Sequence, residues 1–284
     1  MSRPAKDLRA GPGTGSDRMP RIVQLTDSHV TARGRLWKGQ VDTAARLKSL
    51  VAAVNALSAD LVIHTGDVVE MGPLPEGPAE YDQAAQILAE LRAPLRILPG
   101  NHDGRAAMRA AFPDQVWEGA PFLNLSLDLD GLHVIGLDSV VEGQTSGAFP
   151  ATQRNWLSGR LDDRPTLIFL HHPPCPMGLP FMDGFAFDGG EALAATLAGR
   201  DVLQLACGHV HCDVAMHWAG TLVAAAEPSS VLIPPDMPAL DACAPGTPRK
   251  AGVDPLRIRC FDWADGALSV KTVFAEPSGM QAVI

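Results

Sequence analysis

The sequence has no apolar run near the roughly 18–20 residues that a membrane-spanning helix needs, because Gly, Pro or a charged residue interrupts each candidate within about ten positions. It also has no excess of positive charge, since 23 Lys and Arg face 32 Asp and Glu, for a formal net charge of −9. A general nucleic-acid footprint needs the opposite sign. We therefore expect a soluble protein with no membrane span and no nucleic acid polymer as partner. An anionic substrate would need a local positive centre such as bound metal ions.

The cysteines also exclude some kinds of site. They number five, an odd count that argues against a disulfide framework, and none are spaced as Cys-x-x-Cys, so a thiolate zinc site is not indicated. Residues 1–20 contain Arg3, Lys6 and Arg9, then a Gly-rich stretch, but no apolar segment, which predicts a flexible tail rather than a secretory signal. The expected location is the cytoplasm.

Short apolar runs and helical patterns alternate along most of the chain. Five runs predict strands, over residues 21–25, 61–63, 95–98, 166–170 and 202–206. Four patterns predict helices, around residues 47–57, 81–91, 105–112 and 152–161. Asp42 is the expected N-cap of the first helix. This alternation predicts an α/β layered fold with the sheet inside and helices outside.

Two Asp-Gly pairs, at residues 130–131 and 265–266, predict β-hairpins. The second hairpin closes a Pro- and Ala-rich region that begins at Pro228. We therefore divide the chain into a tail over 1–20, a main domain over 21–227 and a C-terminal extension over 228–284. The extension is expected to pack on the main domain or on a partner in a homodimer or higher homo-oligomer.

Polar residues directly follow the five predicted strands. They form five clusters, Asp27-x-His29, Gly66-Asp67, Gly100-Asn101-His102-Asp103, His171-His172 and Gly208-His209-x-His211. Taken singly, Asp67 could be an ordinary turn residue and Asn101 a helix N-cap. Ligands of open α/β sheets, however, gather where strands end, so the five clusters together predict one site.

The donors in these clusters are carboxylates, imidazoles and one carboxamide, which suit Zn, Mn, Fe or Co. In strand-like or tight-turn backbone, residues i and i+2 point the same way, so the two pairs with x between them are expected to chelate. The seven candidate ligands exceed the roughly four to six positions around one ion. They are Asp27, His29, Asp67, Asn101, His171, His209 and His211. Two divalent ions that share one carboxylate are the simplest solution.

The ordered set of clusters resembles the calcineurin-like metallophosphoesterases over about residues 20–227. Leu137-Asp138-Ser139, the Gln153-x-x-Trp156-Leu157 helix and Met182-Asp183 after His171-His172-Pro173-Pro174 resemble the class III cyclic nucleotide phosphodiesterases and related glycerophosphodiesterases. The resemblance implies a four-layer fold of two mixed β-sheets between helices, with residues 21–227 as the catalytic domain.

The resemblance also implies a role for each site residue. Asp27, His29 and His211 would hold one ion. Asn101, His171 and His209 would hold the second, and Asp67 would bridge them. His102, with Asp67 and Asn101 one of three expected catalytic residues, would contact the phosphate or the leaving group. His172 would support the ligands. Asp103 is expected either to cap the helix that follows or to orient a ligand histidine, and Phe181, Met182 and Asp183 either line the substrate pocket or cover the core.

The implied activity is hydrolysis of small phosphodiesters, with 3′,5′-cyclic nucleotides such as cAMP first and glycerophosphodiesters second. The nucleophile would be a hydroxide that bridges the two ions and attacks phosphorus in line. A phosphomonoesterase is the alternative enzyme. A non-catalytic scaffold on the same fold is the alternative from another class, but it should lack one or more of the eight site residues, and all eight are present.

Overall fold

The computed structural model describes residues 19–242 and 249–275, so nearly all of the predicted tail and part of the C-terminal extension lie outside the described residues. The strands in these residues are β1 Arg21–Leu25, β2 Leu61–His64, β3 Leu95–Ile97, β4 Leu125–Leu129, β5 Leu132–Leu137, β6 Thr166–Leu170, β7 Val202–Cys207, β8 Val214–Trp218, β9 Thr221–Ala225, β10 Arg257–Ala264 and β11 Ala267–Phe274. The α-helices are α1 Thr43–Ala56, α2 Gly77–Leu88, α3 Arg105–Ala111, α4 Ala151–Ser158 and α5 Gly190–Leu197.

The strands form two mixed sheets. The first has the order β11-β10-β1-β2-β3, in which β1, β2 and β3 are parallel and the terminal hairpin β10-β11 pairs antiparallel with β1. The second has the order β4-β5-β6-β7-β9-β8, with a parallel centre from β5 to β9 and an antiparallel strand at each edge. The hairpin at the end of the chain therefore extends the same sheet that begins with β1.

The core is divided into three layers by the two sheets. Alternate residues of β1 face opposite sides, as a strand requires, so Ile22 packs between the sheets and Val23 packs under α1 and α2. Phe169 and Phe261 meet edge to face between the sheets, with ring centroids 5.4 Å apart. A third apolar cluster lies between the second sheet and the helices α4 and α5. The predicted fold, two mixed sheets between layers of helices, is confirmed.

Several local predictions are also confirmed. Asp42 caps α1 by accepting a hydrogen bond from the backbone N–H of Ala45 at 2.9 Å. Asp130 and Asp265 adopt positive φ in their hairpin turns, at 48° and 50°. The sequence reasoning missed α5 and the hairpin β8-β9, whose turn uses Ala219 instead of Asn or Asp at a φ of 51°. Within the described ranges no helix is long and apolar enough to cross a membrane.

Candidate metal centre

All five predicted clusters lie at the carboxyl ends of strands. Asp27 follows β1, Asp67 follows β2 and Asn101 follows β3 in the first sheet, whereas His171 follows β6 and His209 follows β7 in the second. Because the two sheets face each other, these loops meet at one edge of the sandwich. The backbone N–H of His209 lies 3.1 Å from both carboxylate oxygens of Asp27, which joins residues that are far apart in the sequence.

Of the two backbone forms expected for these loops, strand-like or tight turn, the loops adopt turns. Five of the seven predicted ligands adopt a left-handed conformation, with φ values of 50° at Asp27, 43° at His29, 52° at Asp67, 69° at His209 and 54° at His211. Such a conformation costs a non-glycine residue about 1–3 kcal/mol and persists only when surrounding contacts enforce it. Here the amides of Asp27 and His29 donate to the carbonyls of Gly66 and Asp67, each at 3.0 Å.

Two glycines let the loops approach one another closely. A Cβ at Gly100 would collide with Asp67, and a Cβ at Gly208 would collide with Thr26 and the carboxylate of Asp27. Glycine is therefore needed before Asn101 and before His209, which is the physical reason for glycine at these two places in the clusters.

The first donor cluster consists of Asp27, His29, Asp67 and His211, all buried, with donor atoms within 4.8 Å of one another. Nε2 of His29 lies 3.1 Å from Nε2 of His211 and 3.5 Å from Oδ2 of Asp67. Nε2 of His211 lies 3.4 Å from Oδ1 of Asp27. Two imidazole nitrogens and two carboxylates thus face one small volume, the mixed N/O donor set that borderline divalent metals take.

Hydrogen bonds from outside the first cluster orient its two imidazoles. Nδ1 of His29 donates to Oε2 of Glu70 at 2.7 Å, and Nδ1 of His211 donates to the carbonyl of Val231 at 2.7 Å. Their Nε2 atoms consequently face each other with lone pairs that repel unless a proton or a metal cation lies between them. An outer partner on the second ring nitrogen is the usual arrangement around metal-ligating histidines. The residues present therefore fit a metal ion.

The second donor cluster consists of Asp67, Asn101, His171 and His209. Nε2 of His171 lies 3.3 Å from Oδ2 of Asp67 and 3.2 Å from Oδ1 of Asn101, which is 3.0 Å from Nδ1 of His209. Nδ1 of His171 donates to the carbonyl of Thr65 at 2.8 Å, so its Nε2 lone pair points inward. Oδ2 of Asp67 is thus close to an imidazole of each cluster, the position of a carboxylate that two ions could share.

The electrostatics favour positive charge on one imidazole of each cluster. Burial opposes a charged imidazole, but the hydrogen bond to Glu70 and the charge of Asp67 outweigh it and raise the pKa of His29 to about 9. Burial likewise opposes charge on His171, yet Asp67 and Asp27 raise its pKa to about 9. The pKa of Asp67 is held well below its usual range by the neighbouring imidazoles despite burial. A metal ion would supply the same positive charge on displacing these protons.

His102 lies at the rim of the site. Its side chain is 35% exposed, whereas six of the seven predicted ligands are buried and Asn101 is partly buried. Its ring centroid is 4.6 Å from that of His29, its backbone N–H donates to Asp67 at 2.8 Å, and its Nδ1 donates to the carbonyl of Glu70 at 2.8 Å. The ring is therefore held over the first cluster at a place that solvent or a substrate can reach.

His172 adjoins the second cluster but has no nitrogen left for a metal. Its Nε2 faces the carbonyl of Thr145 at 3.1 Å and must donate, so its Nδ1 accepts from the hydroxyl of Ser139 at 2.8 Å. Burial and the charge of His171 lower its pKa well below the usual value. A neutral ring packed beside His209, at a centroid distance of 4.6 Å, supports that side chain.

Asp103 connects two of the site loops. Its carboxylate accepts hydrogen bonds from the backbone of Val68 at 3.1 Å and Gly100 at 2.9 Å, and from the hydroxyl of Tyr81 at 2.9 Å. Burial and the nearby charge of Asp67 raise its pKa to about 6. Asp103 thus joins the loop of Asp67 to the loop of Asn101.

Sequence reasoning missed two contributors to the site. Glu70, three positions after Asp67, has no distinguishing pattern, although an acidic residue so close to a predicted ligand is a weak signal for an outer partner. Residues 229–231 lie beyond the predicted main domain, yet Ser230 donates to the carbonyl of Asp27 at 3.1 Å and Val231 orients His211. No sequence pattern can indicate a contact made by a backbone carbonyl.

This chain is similar in sequence and in fold to known proteins. Residues 20–213 match the family described as Calcineurin-like phosphoesterase. The chain is 33% identical over 217 residues to a probable glycerophosphodiester phosphodiesterase GpdQ of Arcobacter nitrofigilis, covering 73% of this chain and 78% of that protein. It is 31% identical over 234 residues to the 3′,5′-cyclic adenosine monophosphate phosphodiesterase CpdA of Escherichia coli strain K12, covering 80% and 82%.

A solved structure agrees with the fold. A dimetal phosphatase from Danio rerio superimposes with a TM-score of 0.62 at 15% identity, over 92% of this chain and all of that one. Together with the family match, the fold and the His/Asp clusters define a metal-dependent phosphoesterase. The chain belongs to the calcineurin-like phosphoesterase family.

Proposed function

We propose that this protein is a two-metal phosphodiesterase that hydrolyses small phosphodiesters, with 3′,5′-cyclic nucleotides such as cAMP as the first candidate substrates. The main support is the position of Asp67, whose Oδ2 lies 3.5 Å from His29 in one donor cluster and 3.3 Å from His171 in the other. Asp27, His29 and His211 complete the first ion site. Asn101, His171 and His209 complete the second.

Two divalent ions, of Fe, Mn, Zn or Co, would supply an activated water nucleophile and neutralise charge on the phosphoryl oxygens. The protein's own groups set the geometry of attack. Asp67 holds the two halves of the site together, and Glu70 and Val231 keep the inward nitrogens of His29 and His211 free of protons when metal is bound. The buried carboxylates balance the ionic charge, which leaves the site positive enough to attract a phosphodiester anion.

His102 acts on the substrate instead of on the metal in this proposal. The ring lies over His29 at the accessible rim. Its Nδ1 already donates to the carbonyl of Glu70, so Nε2 is the atom left for a bound phosphate, and it donates only when both ring nitrogens carry a proton. A hydrogen bond or proton from this ring would stabilise charge on an equatorial oxygen or on the departing alkoxide. General acid catalysis of this kind typically contributes about 10²–10⁴-fold to the rate.

Glycerophosphodiesters are the second candidate substrates. The GpdQ protein of Arcobacter nitrofigilis is as similar to this chain as the CpdA protein of Escherichia coli. The same donor clusters and His102 would serve either diester, because they act on the phosphate and its leaving oxygen. We further propose a cytoplasmic location, which the four free cysteines among the described residues support. We also keep the prediction that the protein forms a homodimer or a higher homo-oligomer.

The test is Asp67→Ala, with hydrolysis of cAMP, glycerophosphodiesters and phosphomonoesters measured beside the metal content of the purified protein. We expect the variant to lose bound metal and at least about 10³-fold of its diester activity. Asp262→Asn is the matched control, because Asp262 is a buried carboxylate paired with Arg21 outside the site. Unchanged turnover in Asp67→Ala would refute the two-metal proposal, and a dominant monoester rate would refute the diester assignment.

A further inference from the structure

A small cavity of about 150 Å³ adjoins the second donor cluster. It lies between the residues that follow His172 and the turn around Met182. Its lining includes Pro174, Met177, Phe185, Phe187, His209 and Val210. His209 also lies 3.0 Å from Asn101 in the second cluster, so this one side chain borders both the cavity and the proposed catalytic site. A larger cavity of about 510 Å³ lies between α1 and α2, and its lining contains none of the predicted ligands.

The wall of the smaller cavity is apolar and aromatic. The ring of Phe185 lies 6.2 Å from the ring of His209, at an interplanar angle of 80°, and 5.7 Å from the ring of Phe181. The rings of Phe185 and Phe187 are only partly buried, so an aromatic surface faces solvent beside a highly polar site. Exposed aromatic surface next to a catalytic centre is typical of a substrate-binding wall.

The turn that carries Phe185 is held in place before any ligand binds. The carboxylate of Asp183 accepts hydrogen bonds from the backbone N–H groups of Met177 at 2.7 Å and Leu179 at 2.8 Å. Asp183 is the only charged side chain among the described residues that line the cavity, and these two bonds occupy both of its oxygens. Apart from this carboxylate, whose two oxygens already accept backbone hydrogen bonds, the cavity offers a ligand a mainly apolar surface.

We infer that this cavity receives the base of a nucleotide phosphodiester, with Phe185 as the aromatic surface against which the base stacks. The inference rests on the proposed function, because the phosphate must lie at the metal centre. The volume of the cavity, about 150 Å³, is below the roughly 300 Å³ of a pocket that encloses a whole drug-sized ligand, so the cavity suits one planar part of a substrate. A glycerol group would bring hydroxyls that this wall cannot satisfy. A quaternary ammonium could also bind an aromatic wall, so binding of choline here would appear in the first experiment as a raised KM for glycerophosphocholine in Phe185→Ala and would overturn the assignment to a base.

The first experiment compares Phe185→Ala with the wild type on cAMP and on glycerophosphocholine. Base stacking on an aromatic ring is worth about 1–3 kcal/mol, so we expect the KM for cAMP to rise about tenfold with kcat within about twofold. The KM for glycerophosphocholine should not change, and Phe185→Trp should restore the KM for cAMP. Phe274→Ala on β11 is the matched control, a 53% exposed Phe far along the chain from the site.

The second experiment separates this inference from the proposed function. Calorimetry on the Mn²⁺-loaded protein compares 5′-AMP with ribose 5-phosphate, which carries the phosphate but no base. We expect the wild type to bind AMP at least about fivefold more tightly and Phe185→Ala to bind both alike. Equal binding by the wild type, or an AMP preference that survives in Phe185→Ala, would overturn the inference. A wild type that hydrolyses no diester would refute the proposed function, while the binding preference would still decide the role of Phe185.

Discussion

The two donor clusters of the metal centre differ in charge. The first contains two carboxylates, Asp27 and Asp67, and a third, Glu70, stands behind His29 at 2.7 Å. The second shares Asp67 but adds only the neutral amide of Asn101 to its imidazoles. The outer partners differ in the same sense, since His29 donates to a carboxylate and His171 donates to the backbone carbonyl of Thr65.

If each cluster holds one ion as proposed, this difference predicts that the two ions are held unequally. Coulomb attraction and the basicity of an imidazole both increase with nearby negative charge. The first cluster should therefore bind its ion more tightly, and the second ion should be the one that dissociates on dilution. We therefore expect a site that keeps one resident ion and binds the second only when the free metal concentration is high enough.

Asp27→Asn is expected to cause the largest change in the difference in metal affinity between the two clusters. The change removes one negative charge from the first cluster and keeps an oxygen that can accept the hydrogen bond from His209. Loss of an outer partner alone costs about 10–100-fold in metal affinity, so a change to a ligand should weaken the first ion by at least about 100-fold. Competition with a chelator, followed by metal analysis, measures this loss.

Asn101→Asp is the converse control for that experiment. It adds one charge between His171 and His209, and affinity for divalent ions increases with the number of charged ligands. The second ion should bind about tenfold more tightly, which brings the two affinities together. If Asp27→Asn and Asn101→Asp both leave the difference between the two metal affinities unchanged, charge is not the cause of that difference.

A smaller effect is expected from Glu70→Gln. The amide oxygen can still accept a hydrogen bond from His29, but the charge that increases the basicity of the ring is gone. We expect a loss of about 10–100-fold in affinity for the first ion alone. Glu76→Gln, at an exposed position before α2, is the control. An equal loss of both ions, seen in a stepwise metal titration, would contradict the separate roles of the clusters.

The smallest expected effect is a change with pH in the Tm of the metal-free protein. The folded-state pKa values of His29 and His171, raised to about 9, exceed the ordinary value of 6.5. Their contribution to stability is therefore fully present below pH 6.5 and is lost as the pH rises through 9. We expect the Tm of metal-free protein to fall over this window, and to fall less in Glu70→Gln because that change lowers the pKa of His29.

Metal affinity should change in the opposite direction over the same range, because binding requires both imidazoles to lose their protons. Thermal unfolding with and without Mn²⁺ between pH 6.5 and 9 measures both trends. A Tm of metal-free protein that rises with pH in this interval would contradict the assignment of charged imidazoles to the two clusters.

Much of the fold and the donor set could be predicted because the signals are local. A short apolar run between turns predicts a strand wherever it occurs, and β1 and β6 match their predictions residue for residue. Where the local signal is weak, the prediction missed the element. The helix α5 has only eight residues, and the β8-β9 turn has Ala219 in place of a typical turn residue. The outer partner Glu70 was missed because only the fold brings it to His29, 41 positions away in the chain.

The order of amino acids alone was enough to predict a set of donor side chains and to place each after a strand, since periodicity and donor type are properties of short segments. Folding decided how those groups face one another. The left-handed backbone of the five ligands, the sharing of Asp67 and the turning of His211 toward the site by Val231 depend on loops from both sheets meeting at one edge. Contacts of this kind involve main-chain groups that every residue has, so only the assembled structure can assign them.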